Sequence, residues 1–170
     1  QSVLGDAFSS FSIFMDKPFE VGDFVIVDDL LGTVEHIGIK TTRIRSLSGE
    51  QLIFANSDLT ASRIRNYKRM EERRVVFSLG VVYQTSLEKL KKAKEMICEI
   101  LKNTENIRMD RVHFNSYGDF SLNFEIVYYV LSPDYTVYMD IQEKINFEIF
   151  EAFEKEGIEF AYPTQTLFVE

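Results

Sequence analysis

The sequence predicts an α+β protein. It reads as a short amphipathic helix, a small β domain of SH3-like or Sm-like barrel size, a ferredoxin-like α/β domain, and a last short strand that needs a partner, copies of itself from other subunits being one source. Three observations predict this. Residues 1–17 place apolar side chains at helical spacing and stop at Pro18. Residues 18–68 hold five short runs rich in Val, Ile, Thr and Phe, about ten residues apart, separated by turn residues. Residues 69–162 change periodicity to the order β-α-β-β-α-β, and residues 163–170 are cut off behind Pro163.

In the first helix Leu4, Ala7, Phe8, Phe11 and Met15 recur at spacings of three and four, widened by Val3 and Phe14. Asp6, Ser9, Ser12 and Asp16 fall mostly opposite. At about four turns the helix is too short to span a bilayer. Its apolar stripe is expected to dock on the protein's own core, to lie in a membrane interface, or to contact another subunit.

The strands of the β domain are FVIV, TVEHIGIK, TTRIRSL, QLIFA and SRIRNY. Asp28-Asp29, Ser48-Gly49-Glu50 and Asn56-Ser57-Asp58 read as turns. In the α/β domain RVVFSLGVVY is a strand. The helix after it starts at Thr85, with Glu88 completing a capping box. Its core stripe is Leu87, Leu90, Ala93, Ile97, Ile100 and Leu101. Two strands then meet at Gly118-Asp119, and a second helix runs from Tyr135 to Glu156 with Gly157 closing it. That helix buries Tyr138, Ile141, Ile145, Ile149 and Ala152. Phe147 and Phe150 project nearly opposite and suggest either a subunit interface or packing under a loop. In the tail Leu167, Phe168 and Val169 form an extended piece that needs a partner strand.

Composition narrows the function. The net charge of −8 argues against a nucleic-acid partner, because phosphate binding draws on excess Lys and Arg. Charge is uneven: Arg63 to Arg74 hold six bases and two acids, Asp134 to Glu170 nine acids and two bases. The single Cys98 excludes an internal disulfide and suits a reducing compartment. No uninterrupted apolar run reaches the roughly 20 residues of a spanning helix. No phosphate loop, dinucleotide fingerprint, C-x-x-C or H-E-x-x-H is present, so no cofactor or metal is expected. His36 and His113 fall in separate domains, and Asp28-Asp29 suits a turn better than paired catalysis. An enzyme is the least supported class.

MDKPFEVGDFVIV, LGTVEHIGIKTTRIRSLSGEQLIFANSDL, the RNY of residues 65–67 and the tail AYPTQTLFV resemble, in this order, the small-conductance mechanosensitive channel family. The resemblance covers essentially the whole chain. Ala55 stands where the family usually has Pro. The resemblance implies that residues 1–17 are the second half of a kinked pore helix, uncapped at Gln1 because preceding turns are left off. Val3, Leu4, Phe8, Phe11 and Met15 would meet lipid or a neighbour, and Phe19 would anchor the kink to the β domain. It implies a homo-oligomer of seven subunits around a hollow vestibule on the cytoplasmic side of the inner membrane. Phe147, Phe150, Leu167, Phe168 and Val169 would lie at subunit contacts, with residues 163–170 as the C-terminal strand of an oligomeric barrel. The implied activity is tension-gated release of ions and small osmolytes on hypo-osmotic shock. The alternative is a soluble oligomeric binding or assembly module without channel activity. An RNA-binding Sm-like barrel is opposed by the charge.

Overall fold

A computed structural model of the chain describes residues 3–169. Gln1 and Ser2, placed by the sequence at the uncapped helix start, and Glu170, in the last strand, lie outside the described residues. The chain divides into two compact units, Gln1–Met70 and Glu71–Glu170.

The first unit begins with helix α1 (Val3–Asp16). It ends because Lys17 turns into the left-handed region (φ 46°) while still donating its N–H to the Ile13 carbonyl, and Pro18 follows. The connection is pinned by the buried Asp23. Its Oδ2 accepts from the Glu20 N–H at 3.0 Å and from Asn66 Nδ2 at 2.8 Å. Strands β1 (Phe24–Val27), β2 (Leu30–Ile37), β3 (Thr41–Ser46), β4 (Gln51–Ala55) and β5 (Ile64–Asn66) form one antiparallel sheet in the order β4-β3-β2-β1-β5. Alternation along the strands turns Val25, Val27, Val34 and Ile44 inward, where they pack with Phe19, Leu59 and Ile13. The expected barrel stays open: among the described residues β4 pairs only with β3, and β5 only with β1.

Asn56-Ser57-Asp58 is not a plain turn. It is the first turn of helix α2 (Asn56–Ala61), with Ala55 as its N-cap at φ −64°, the value a proline would take. The helix is fixed by Asn56, which is fully buried. Its Oδ1 accepts from Thr42 Oγ1 at 2.8 Å, and its Nδ2 donates to the Gly38 carbonyl at 2.8 Å.

The second unit is β6 (Arg73–Val81), α3 (Leu87–Asn103), β7 (Ile107–Tyr117), β8 (Leu122–Val130) and α4 (Tyr135–Glu156). The antiparallel sheet runs β6-β8-β7. The expected fourth strand is reduced to one bridge, Val81 with Phe160, flanked by the bonds Val82 N–H to Glu159 O and Ala161 N–H to Gly80 O. Both additions place it beside β6, so the ferredoxin-like strand arrangement is retained in shortened form. Ala93, Ile97 and Leu101 of α3 and Ile145, Ile149 and Phe153 of α4 bury against Phe124, Ile126, Tyr128 and Val130. Burial pushes the Tyr128 phenol up, so it stays protonated while donating to Gln142 Oε1 at 2.7 Å.

Two helix assignments are corrected. Ser86, not Thr85, caps α3: its Oγ accepts from the Lys89 N–H, while Thr85 Oγ1 donates to the Val82 carbonyl. Leu87, the first residue of the helix, is exposed and not part of the core stripe. In α4 the buried residues are Ile145, Ile149 and Phe153, while Tyr138, Ile141 and Ala152 of the expected stripe are half-buried. Asp134 caps α4, and Gly157 closes it at φ 65°.

Candidate functional site

Helix α1 is docked inside out. Its apolar residues Val3, Leu4, Phe8, Phe11, Phe14 and Met15 are 60–80% exposed, whereas only Ile13, at 1%, is buried. The serine side faces the unit instead. Ser10 Oγ donates to the Gly38 carbonyl at 3.0 Å, and Thr60 Oγ1 of α2 donates to Ser9 Oγ at 3.2 Å. An amphipathic helix packed on its own core shows the reverse arrangement. Docking of the predicted stripe on the core is therefore overturned: Ile13 and the hydroxyls of Ser9 and Ser10 face the first unit, and six large apolar side chains are left outward. Phe19, expected to anchor the kink to the β domain, is 1% exposed and sits in the core of the first unit.

Ile13 is the hydrophobic anchor. Ile13→Asp places a carboxylate among Phe19, Val34 and Leu59 without a partner. Amide exchange over residues 3–16 is expected to lose its protection while the second unit keeps its own. Unchanged exchange would show that α1 is held by other means.

In the second unit Phe147 and Phe150 remain exposed at 67% and 60%. They are not equivalent. Phe150 stacks on Phe160 at 5.9 Å between ring centroids, and Phe160 stacks in turn on the buried Phe153 at 5.2 Å. Its position is thus set within the chain. Leu167, Phe168 and Val169 are exposed and belong to no strand among the described residues. The signal that separates Phe150 from Phe147 lies in the placement of Phe160, ten residues further on, which helical periodicity does not carry.

The titratable candidates stay apart. His36 is exposed on β2 of the first unit and His113 on β7 of the second. Asp28 forms the β1–β2 turn at φ 54°. Cys98 is half-buried on α3 beside a surface recess lined by Lys91, Lys94, Glu95 and Glu99. Among the described residues no group of His, Cys, Asp and Glu could hold a metal ion, and no helix is long and apolar enough to cross a membrane.

Fold and surface together define a two-unit α+β chain whose first helix carries exposed apolar side chains. Residues 2–69 match the family model described as mechanosensitive ion channel, beta-domain, and residues 75–160 that described as mechanosensitive ion channel MscS, C-terminal. The chain belongs to this family of mechanosensitive ion channels, which are not enzymes. It is 41% identical over 171 residues to the small-conductance mechanosensitive channel MscMJ of Methanocaldococcus jannaschii, covering 100% of this chain and 49% of that protein. To the low conductance mechanosensitive channel YnaI of Escherichia coli it is 28% identical over 175 residues, covering 100% and 51%. The chain thus spans about half the length of these curated relatives. In fold it is similar to Helicobacter pylori MscS in its closed state, with TM-score 0.79, 23% identity, and 98% and 65% of the two chains covered. It is also similar to Arabidopsis thaliana MSL1, with TM-score 0.85, 17% identity, and 96% and 60% covered.

Proposed function

We propose that the chain is the cytosolic vestibule of a tension-gated channel that releases ions and small osmolytes on hypo-osmotic shock. The observation that carries this reading is the inside-out docking of α1. Its outward Val3, Leu4, Phe8, Phe11, Phe14 and Met15 suit the acyl boundary of a bilayer or a neighbouring subunit, whereas water leaves them uncovered at a cost. The buried Phe19 anchors the turn after the helix to the β domain. Movement of α1 is then transmitted to a folded unit rather than lost in a loose linker. Tension acts as a ligand does, favouring the state with the larger in-plane area.

In this reading copies of the chain assemble, most simply as the heptamer that the family resemblance implies. Phe147 and Phe150 lie at the contacts, and Leu167, Phe168 and Val169 pair between subunits. The acidic stretch from Asp134 to Glu170 lines the solute path and favours cations. The full-length protein in membrane patches under graded suction is the test. Replacing Phe8, Phe11 and Phe14 together by Ser is expected to shift the opening tension markedly, and native mass spectrometry of the chain to give a heptamer. An unshifted threshold removes α1 from tension sensing. A heptamer combined with a full-length protein that never conducts leaves an assembly module instead.

A further inference from the structure

The β2–β3 turn carries an apolar side chain that no core uses. Ile39 is 77% exposed, at the tip of a turn closed by the Gly38 N–H on the Thr41 carbonyl at 2.9 Å. Turn tips ordinarily carry Gly, Asn, Asp or Ser, and a β-branched apolar residue there lacks a local conformational reason. The tip is rigidly held. The Gly38 carbonyl accepts from both Asn56 Nδ2 (2.8 Å) and Ser10 Oγ (3.0 Å), and the Lys40 carbonyl accepts from the Asn56 N–H at 2.9 Å. Ser10 lies between Phe8 and Phe11 in α1, so Ile39 is one residue away from a contact with the middle of the exposed helix. Within the turn's own stretch the charge has one sign, while the helices that hold it carry Asp6 and Asp58. From His36 to Arg43 there are two bases, Lys40 and Arg43, and no acid, and Lys40 is exposed with no ion pair among the described residues. The acid just before this stretch, Glu35, is occupied by Arg45 at 2.9 Å.

We propose that the β2–β3 turn is a second membrane-contact element beside α1. Ile39 enters the boundary between headgroups and acyl chains of an anionic bilayer, and Lys40 lays its stem along the same boundary with its ammonium on the phosphates. This rests on the reading of α1 as lipid-facing. An apolar tip followed by a lysine fits a lipid surface better than a protein groove, because it supplies one shallow apolar insertion and a cation that meets any nearby phosphate.

The chain has no tryptophan, so a single Trp reports one position. Ile39→Trp, Phe11→Trp and Leu47→Trp are mixed with vesicles of phosphatidylcholine and phosphatidylglycerol, with and without brominated acyl chains. Leu47 is the control. It is also 77% exposed in a turn, but at the opposite end of β3, roughly 20 Å away. Trp at 39 and at 11 is expected to shift to the blue and to be quenched by bromine, and Trp at 47 to do neither. Ile39→Ser is expected to lower vesicle partition roughly tenfold. Lys40→Glu is expected to weaken binding to the mixed vesicles and leave binding to pure phosphatidylcholine unchanged. A response at 11 with none at 39 overturns the turn's role and leaves α1's intact. Silence at both overturns both. An equal response at 39 and 47 marks adsorption without orientation and also overturns it.

Discussion

Gly32→Ala is expected to abolish or severely weaken folding of the first unit. Gly32 lies in β2, between Val25 of β1 and Ser46 of β3. A Cβ there would stand 2.2 Å from the Arg45 carbonyl oxygen, 2.7 Å from its carbon and 2.8 Å from Ile44 Cγ2. Two of these atoms are backbone, so no rotamer change relieves the clash. β3 must move as a strand, and its register with β2 holds Ile44 against Val34 in the core. Overpacked core sites commonly cost 1–3 kcal/mol, and a backbone clash of this depth is expected at about 3 kcal/mol or more. Urea unfolding followed by circular dichroism checks it. The first unit's transition should move to lower denaturant or vanish, while the second unit's transition remains. Parent-like unfolding of the variant would mean that the sheet yields at this point.

Phe153→Ala is expected to remove about 3–5 kcal/mol from the second unit, the range for a large aromatic deleted from a core. Phe153 is fully buried on α4, and Phe160 stacks on it at 22°. The effect extends beyond the cavity. The segment after Gly157 is held to β6 by a single bridge and two flanking backbone bonds, and Phe160, at the bridge, rests on Phe153. Amide exchange at Val82 and Ala161 should therefore accelerate with the loss of stability, and Phe153→Leu should recover most of both. Full protection at Ala161 in the alanine variant would separate the bridge from the stack.

The order of elements was legible where local chemistry and burial agree. The second helix of the α/β domain is an example. Its apolar period ends where Gly157 can take a positive φ, and sequence and structure meet at Glu156. The short helix α2 was hidden because Asn, Ser and Asp favour turns and helix starts alike. What decides between them is the buried bond from Thr42 to Asn56, across fourteen residues. The cap of α3 was off by one because Thr85 and Ser86 are both competent oxygens. The competing acceptor, the Val82 carbonyl, takes the threonine. The composition of the candidate surface was legible and its direction was not. Periodicity identifies the apolar side of α1 but is silent on which side meets the protein, and here serine hydroxyls and Ile13 settle it. Phe19, which the family resemblance assigned to anchoring the kink, lies beyond Pro18 and is buried in the core of the first unit.

The bridge at Phe160 leaves residues 163–169 as a tether with a reach of about 23 Å when extended. Between separate chains in solution, two such tethers meet only as often as bulk concentration permits. Once folded units stand side by side, each tether meets its neighbour at an effective concentration on the order of millimolar. In the assembly proposed above, pairing of the tails would be the closing step rather than the nucleus, and shortening them should leave the encounter of the units untouched while loosening the proposed ring.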